Sequence, residues 1–190
     1  MTNKILPLCS YHDRIEIFIN IHSNFEYGLV NQALCCALQS LMREYILLIN
    51  QLDSEFLKGE LNLQKLWYYL QPSLKIMESL VKLTYDAEKS KGGALLNKIY
   101  QLMSESTDQQ ALQIYSFLLN KSFAPYMEFL GKWIYKGIIE DTYEEFLIIE
   151  KKDIQKESIS KEYKDYYWEK RFTLCKDQVN LLTSCFLKIL

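Results

Sequence analysis

The stretch EYGLVNQALCCALQSLMREYILLINQLDSEFLK, residues 26–58, carries the pattern that decides the fold class. Its apolar side chains recur at gaps of three and four residues, namely Val30, Leu34, Ala37, Leu38, Leu41, Tyr45, Leu48, Ile49, Leu52 and Phe56. This spacing places one continuous apolar stripe along a helix of about eight turns. Lys58 and Gly59 then supply a cation and a left-handed cap at its end. The segment therefore predicts a long amphipathic helix.

Helical periods continue after this segment. Asn62 can cap a second helix, and Pro72 is predicted to kink that helix rather than to end it. A short helix is predicted for residues 94–103, and Thr107 or Asp108 is expected to cap the next one. The sequence thus favours a succession of helices joined by short turns.

The stretch APYMEFLGKWIYKG, residues 124–137, predicts a helix of its own. Pro125 stands where a first helical turn tolerates proline, and Gly137 is expected to stop the helix. Helical spacing is lost in the following residues, and alternation around Phe146 predicts a short extended or hairpin segment near 138–152.

The last helix predicted from the sequence carries an apolar stripe at Val179, Leu182, Phe186 and Ile189. Because this stripe still runs at Leu190, the sequence is expected to be a fragment or a truncated gene product.

Composition agrees with a helical fold. Of the 190 residues, 49% are hydrophobic and 14% aromatic, while only six are glycine and three are proline. So few turn-forming residues disfavour a many-stranded sheet. The predicted fold class is mainly α, a multi-helix bundle with the small extended or hairpin segment near 138–152. A net charge of −2 disfavours a nucleic-acid partner. No signal peptide or membrane-spanning stretch is evident.

Residues capable of chemistry are few. The two histidines, His12 and His22, are not joined by ligands at metal-binding spacing. The acidic EDTYEE, residues 140–145, lacks the alternating ligands of a calcium loop and is predicted to be a solvated turn. Five cysteines are predicted to be reduced, buried thiols of a cytosolic protein, namely Cys9, Cys35, Cys36, Cys175 and Cys185. The sequence predicts no enzyme activity, cofactor or metal.

Five strings stand in a characteristic order: FEYGLVNQALCCALQSLMREYILLINQLD, LNLQKLWYYLQPSLKIMESL, GGALL, APYMEFLGKWIYKGIIEDTYEEF and EYKDYYWEKRFTL. Together they resemble the gamma-tubulin complex component family, and within it the component-two branch. The resemblance covers nearly the whole chain, so that residues 1–190 correspond to the N-terminal helical-bundle region of such a component. The C-terminal half, which grips gamma-tubulin in the family, is absent from this sequence.

The resemblance implies a structural function. In the family this region makes side-by-side contacts between neighbouring components, in complexes that template microtubule nucleation. The implied partner is a component-three-like protein, with gamma-tubulin contacted only indirectly and with neither nucleic acid nor membrane involved. The implied location is the cytoplasm and cytoskeleton, at a microtubule organising centre such as a spindle pole, centrosome or basal body. The alternative is a truncated helical adaptor that binds a component partner without supporting nucleation.

The resemblance also marks family-signature positions, whose role is expected to be structural. They are Tyr27, Gly28, Asn31, Leu66, Trp67, Pro72, Pro125, Tyr126, Trp133, Gly137, Tyr143, Phe146, Tyr167, Trp168 and Arg171. Thr142 stands where the family usually has proline, so the turn after Asp141 is expected to be less rigid here. Most aromatic side chains are expected in the core, with Trp133 and Tyr135 fixing their helix against the bundle. The position of the partner interface is not indicated.

Overall fold

A computed structural model describes residues 2–151 and 170–175 of the chain. Its elements, in chain order, are α1 (Thr2–Ile5), α2 (Pro7–His22), a 3₁₀ turn (Phe25–Tyr27), α3 (Leu29–Leu57), α4 (Leu63–Ala87), α5 (Gly92–Glu105), α6 (Gln109–Lys136), β1 (Ile148–Glu150) and β2 (Phe172–Leu174). The predicted fold class, a mainly α bundle with a small extended segment, is confirmed. The helix predicted over 179–189 lies outside the described residues.

The two longest helices, α3 and α6, share the most extensive packing interface. Helix α5 packs against α6 and α4, and α2 packs against α4 and α3. Apolar side chains from all five long helices meet in one core, including Ile15, Leu34, Leu38, Leu80, Leu95, Leu96, Ile99 and Leu118. Burial of these stripes provides the main stabilisation of the helices, because helical propensity alone is weak in water.

Helix α4 runs through Pro72 without a break, which confirms the prediction of one helix, whereas the kink at Pro72 stays a prediction. The N-terminal caps of α4 and α6 differ from each other. Asn62 occupies the N-cap position of α4, but its side chain makes no capping hydrogen bond. Asp108 does cap α6, because its Oδ1 accepts the main-chain N–H of Gln110 at 3.2 Å.

Helix α6 is longer than the sequence predicts. A separate helix starting near residue 124 is wrong, because α6 continues through Pro125 from Gln109 to Lys136. Leu118, Ser122, Tyr126 and Leu130 are buried on one face on both sides of the proline. Their packing holds the helix together although proline removes one main-chain donor. Gly137 ends the helix as predicted, with φ of 66° and its N–H on the Trp133 carbonyl oxygen.

Helix α2 has no counterpart among the sequence-based predictions. It begins at Pro7 and buries Leu8, Ile15, Phe18 and Ile19. Exposed apolar residues on the same helix, Ile17 and Ile21, obscure its period in the sequence. The helix was therefore missed because two isoleucines on its exposed face blur the apolar period.

The extended segment near 138–152 is confirmed as β1, whose partner β2 lies further along the chain. The two strands are antiparallel and pair Ile148 with Leu174, Ile149 with Thr173 and Glu150 with Phe172. The main-chain N–H of Cys175 donates to the Leu147 carbonyl oxygen at 2.8 Å and extends this ribbon. The sequence did not predict β2.

Among residues 2–151 and 170–175, fewer aromatic side chains lie in the core than expected. Phe18, Tyr115, Tyr126 and Phe146 are fully buried. The exposed aromatic side chains in this part of the chain are Phe25, Phe56, Tyr68, Tyr69, Tyr85, Phe117 and Tyr135. Tyr135 is 88% exposed, so the expectation that it fixes α6 against the bundle is wrong. Trp133 is half-buried and does pack against the core.

Candidate functional site: a three-loop junction

Three connecting segments meet where α3 and α5 begin. They are residues 23–28, residues 88–93 and residues 141–147, and together they are called the three-loop junction. Hydrogen bonds from side chains and main-chain groups join these segments to one another and to the first turns of α3 and α5. Segments far apart in the sequence thus form one local structure.

The 141–147 segment is organised by Asp141. Its Oδ1 accepts the main-chain N–H of Tyr143 at 3.3 Å, and its Oδ2 accepts that of Phe146 at 2.7 Å. Such carboxylate-to-backbone bonds replace the hydrogen bonds that a regular element would supply. The turn is therefore built with Thr142 at the position where the resemblance implies proline. Its reduced rigidity stays a prediction.

Phe146 anchors this segment in the core, and only 1% of its surface is exposed. Three rings of α6 surround it, with centroids at 5.7 Å for Tyr126, 6.5 Å for Phe129 and 6.3 Å for Trp133. Phe129 and Trp133 meet it edge to face, which is a favourable geometry for aromatic pairs. The aromatic residues at the end of α6 thus form a socket for the segment that follows.

Glu145 is fully buried and caps α3 from a distant part of the chain. Its Oε2 accepts the main-chain N–H of Leu29 at 2.7 Å, and its Oε1 accepts that of Val30 at 3.0 Å. The first N–H groups of a helix have no partner within the helix, and Gly28 at the N-cap has no side chain to offer. The Glu145 carboxylate therefore supplies the missing cap.

The main chain of Glu145 makes a second connection. Its carbonyl oxygen accepts the N–H of Gly93 at 3.3 Å, in the first turn of α5. One residue thus bonds the beginnings of both α3 and α5. The prediction that EDTYEE is a solvated turn is wrong for Glu145, because two helix N-termini stabilise its charged and polar groups in the interior.

Two glycines make room for Glu145. Gly28 has φ of 92° and Gly92 has φ of 53°, values that residues with a side chain rarely adopt. A Cβ atom at Gly28 would overlap the Glu145 carboxylate, and one at Gly92 would overlap the Glu145 main chain. Both positions therefore require glycine for the backbone conformation and for the close approach.

The 23–28 segment is held at its start by His22, which is buried. Its Nδ1 lies 3.1 Å from the Phe18 carbonyl oxygen, and its Nε2 lies 3.2 Å from that of Glu88. The imidazole stacks on the Phe18 ring at 4.1 Å and meets the Tyr27 ring at 4.5 Å. His22 thus joins the end of α2 to the end of α4.

Lys91 and Asn31 hold the middle of the same segment. The Lys91 ammonium donates to the Glu26 carbonyl oxygen at 3.2 Å and lies 5.4 Å from the centre of the Tyr27 ring. Asn31 Nδ2 donates to the Tyr27 carbonyl oxygen at 2.8 Å and to that of Ser90 at 3.5 Å. These bonds join the first and second segments of the junction directly.

The electrostatics of the junction centre on Glu145. Burial raises the pKa of its carboxyl, and the charge of Asp141 acts in the same direction. The N–H groups of Leu29 and Val30 and the charge of Lys91 oppose this shift. The pKa remains raised overall, because loss of hydration is the largest of these effects.

The structure brings together most of the signature positions of the N-terminal and central segments. Tyr27, Gly28, Asn31, Tyr126, Trp133, Tyr143 and Phe146 all lie in the three-loop junction or in the socket beneath it. Pro125 lies one residue before the buried Tyr126, and Gly137 ends the same helix. A structural role for these positions stays a prediction, because no measurement tests it.

Other signature positions lie elsewhere. Leu66, Trp67 and Pro72 belong to α4, where the Lys4 ammonium lies 5.9 Å from the Trp67 ring. Arg171 lies beside the ribbon and donates to Glu150 Oε1 from Nε at 3.0 Å and from Nη2 at 2.6 Å. Tyr167 and Trp168 lie outside the described residues.

Sequence patterns missed Glu145, His22 and the glycine pair of the 88–93 segment. One signal could have indicated Glu145. A helix of 29 residues begins after Gly28 with no Ser, Thr, Asp or Asn at its cap. A long helix without a local cap needs an acceptor from elsewhere in the chain.

Within residues 2–151 and 170–175, no three His, Cys, Asp or Glu side chains are grouped to hold a metal ion. A cleft of about 700 Å³ beside α4 is lined by residues such as Lys75, Lys82 and Tyr85, with no histidine or cysteine among the side chains that line it. In the same part of the chain, no helix is both long and apolar enough to cross a membrane.

The cysteines differ from the sequence-based prediction. Cys35 is buried, and burial raises its pKa to about 12, which is the opposite of an activated thiol. Cys9 and Cys36 are exposed, so a buried position is wrong for these two residues. Cys175 is half-buried, and Cys185 lies outside the described residues.

Comparison with known proteins identifies the family. A family model described as gamma tubulin complex component N-terminal matches residues 1–186. The chain belongs to the gamma-tubulin complex component family. Among similar proteins, gamma-tubulin complex component 2 of Mus musculus is 38% identical over 94% of the chain. Spindle pole body component alp4 of Schizosaccharomyces pombe is 27% identical over 94% of the chain. Gamma-tubulin complex component 3 of Homo sapiens is 27% identical over 88%.

The resemblance to the component-two branch of the gamma-tubulin complex component family is confirmed by these identities. The chain spans 20% of the length of the mouse protein, 29% of the fission yeast protein and 19% of the human protein. The matching family model describes the N-terminal part of these proteins, so the three-loop junction belongs to that part.

Proposed function

We propose that this chain is a lateral-assembly module of the gamma-tubulin complex. Residues 1–190 would form one N-terminal helical-bundle region that packs side by side against a component-three-like neighbour. The observation that carries this proposal is the family match across residues 1–186, together with relatives whose names place them in the gamma-tubulin complex. Microtubule nucleation would be a property of the assembled complex, in which gamma-tubulin is contacted indirectly.

The three-loop junction supports this role physically. A module that transmits force between neighbours needs segments whose positions are fixed relative to one another. Here Glu145 bonds α3 and α5, and Phe146 lies in the socket of α6. Because the aromatic rings pack against one another and the helices are capped, few connecting segments at this end of the bundle are flexible.

The proposed location is a cytoskeletal microtubule organising centre. The fission yeast relative is named as a spindle pole body component, which favours the spindle pole among such centres.

A binding experiment tests the proposal. The chain is immobilised and offered purified component 3 and gamma-tubulin in separate reactions. Capture of component 3 without gamma-tubulin is the expected result, because the proposed module contacts its neighbour laterally. Capture of gamma-tubulin alone would contradict the proposed arrangement, as would failure to bind either protein.

Two exposed aromatic residues offer a matched pair for locating the contact. Phe25 is 70% exposed in the 23–28 segment, and Tyr68 is 73% exposed in the first half of α4. Phe25→Ser and Tyr68→Ser remove similar exposed apolar area without touching the core. Weaker capture by one variant, with unchanged circular dichroism, assigns the interface to that side of the bundle. Equal capture by both variants directs the search to other exposed surfaces.

A further inference from the structure

We propose that Glu145 is a proton-sensitive clasp. As a carboxylate it closes the first turn of α3, and on protonation it releases one of its two N–H partners while the helical core stays folded. This conformational device does not depend on the proposed function, since it rests on the contacts of the three-loop junction alone.

The geometry uses both carboxylate oxygens. Oε2 accepts from Leu29 and Oε1 accepts from Val30, so each oxygen faces one donor. A protonated carboxyl carries a hydrogen on one oxygen, which becomes a donor and a much weaker acceptor than a carboxylate oxygen. The capping bond to that oxygen is the one that opens in the proposed response. The second can persist, because the remaining carbonyl oxygen still accepts.

The surroundings leave the carboxyl little freedom to rearrange. The space beside Gly28 is filled by the Glu145 carboxylate, and the space beside Gly92 is filled by its main chain. The carbonyl bond to Gly93 fixes the main chain from the other side. Protonation therefore acts on the N–H groups of α3 rather than causing the side chain to swing away.

The charged groups around the clasp belong to two of the packed segments. Asp141 lies on the same segment and raises the pKa of Glu145, and its own carboxylate is bound to the N–H groups of Tyr143 and Phe146. Lys91 precedes α5 and lowers the pKa, while its ammonium donates to the Glu26 carbonyl oxygen. Helix α3 contributes its N-terminal N–H groups, which favour the ionised form.

The direction of the pKa shift of Glu145 indicates that its protonation opens only the first turn of α3 and does not unfold the chain. Because burial raises the pKa of Glu145 above 4.5, the folded chain takes up this proton at a higher pH than the unfolded chain does. The proton-linked part of the contribution of Glu145 to global stability is thus fully present below the unfolded pKa and is lost as pH rises through the folded pKa. Acidification through this window opens the first turn of α3 without a global loss of stability from this group.

Amide hydrogen exchange tests the clasp directly. The N–H groups of Leu29 and Val30 are the probes, because their partner is Glu145 and not a helix carbonyl. As pH falls from neutrality through the raised pKa of Glu145, after correction for intrinsic exchange rates, we expect protection at one or both to fall by roughly tenfold, the effect of losing one net hydrogen bond. Amides in the middle of α4, such as Met77 and Leu80, should keep their protection.

Glu145→Gln is the decisive variant. The glutamine amide has one acceptor oxygen and imitates the protonated carboxyl, so protection at Leu29 and Val30 should be low and independent of pH. Glu140→Gln is the matched control, because Glu140 is an exposed glutamate five residues earlier and should leave the pH dependence intact. Unchanged protection in the parent chain while Glu145 takes up its proton, or the same pH dependence in Glu145→Gln, would overturn the proposal.

A second measurement applies if Glu145→Gln does not fold. Carbon-13 NMR of the glutamate carboxyls in the parent chain would follow protonation of Glu145 itself. The clasp requires that this titration coincide in pH with the loss of protection at Leu29 and Val30. Titration at a different pH from the amide opening would rule out the clasp.

Discussion

The Glu145 carboxylate accepts the main-chain N–H of Leu29 at 2.7 Å, across a separation of 116 residues. A helix cap is usually supplied by the residue just before the helix. Here a turn near the far end of the described chain supplies it, and the local cap position is a glycine. The first turn of α3 therefore depends on a segment that lies far from it in the sequence.

Removal of the Glu145 side chain should destabilise the fold. Glu145→Ala leaves two helix N–H groups without their acceptor and creates a cavity at the junction. We expect the free energy of unfolding to fall by about 2–6 kcal/mol, since each of the two unsatisfied groups costs about 1–3 kcal/mol. Denaturation in urea at pH 7 measures this change. An effect no larger than that of Glu140→Gln would contradict the capping role.

The two junction glycines should resist substitution. Gly28→Ala and Gly92→Ala combine an unfavourable positive φ with overlap on Glu145, and each should cost about 2 kcal/mol or more. Gly131→Ala is the matched control, because Gly131 lies within α6 and a Cβ there meets nothing within 4 Å. That control should stabilise the chain by about 0.5–1 kcal/mol. Melting temperatures of the three variants would distinguish destabilisation by Gly28→Ala and Gly92→Ala from stabilisation by Gly131→Ala.

Phe146 should be the energetic anchor of the 141–147 segment. Phe146→Ala empties a site enclosed by three aromatic rings, and the expected cost is about 3–5 kcal/mol. Trp133 packs on this ring, so tryptophan fluorescence should also change while the overall fold is retained. Tyr135→Ala, at an exposed position two residues after Trp133, should change stability by less than about 0.5 kcal/mol. Similar costs for both variants would argue against the socket.

The two helix caps at Asp108 and Asn62 make a matched comparison. Asp108→Ala removes an observed bond to the Gln110 N–H and should cost about 1 kcal/mol. Asn62→Ala should cost clearly less, because the Asn62 side chain makes no capping bond. Equal losses in thermal unfolding would show that Asn62 caps α4 in solution.

The adjacent cysteines Cys35 and Cys36 should react very differently. Burial raises the pKa of Cys35 to about 12, so almost none of it is thiolate at pH 8, whereas Cys36 is exposed. Alkylation of the folded chain at pH 8, followed by peptide mass spectrometry, should modify Cys36 and leave Cys35 unmodified. Labelling of both in denaturant provides the control, and equal labelling in the folded chain would contradict the buried position of Cys35.

The sequence predicted helices well where an apolar stripe faces a polar surface. The stripe over residues 26–58 became α3, and Gly137 ended α6 as expected. Helix α2 was not predicted, because Ile17 and Ile21 are exposed and blur its apolar period. The sequence-based prediction also divided α6 at Pro125, because local rules do not include the packing that holds the helix together on both sides of the proline.

The site was harder to predict than the fold. Resemblance marked Gly28, Tyr27 and Phe146 as signature positions, but it did not connect them. Glu145 looked like one member of an acidic, solvated run, and its burial follows from two helix N-termini that only the folded chain brings together. A buried charge that is compensated by main-chain groups far away in the sequence produces almost no recognisable pattern of residue types.

The distance in sequence between Leu29 and Glu145 also has a consequence for the order in which the molecule is made. Ribosomes add about 5–20 residues per second, so roughly 6 to 23 seconds separate the synthesis of the two residues. Throughout that interval the nascent α3 lacks its cap, and so its first turn is prone to fraying. The bundle can collapse around its apolar stripes early, but the end that carries the 23–28 segment is completed only when the late acidic turn arrives.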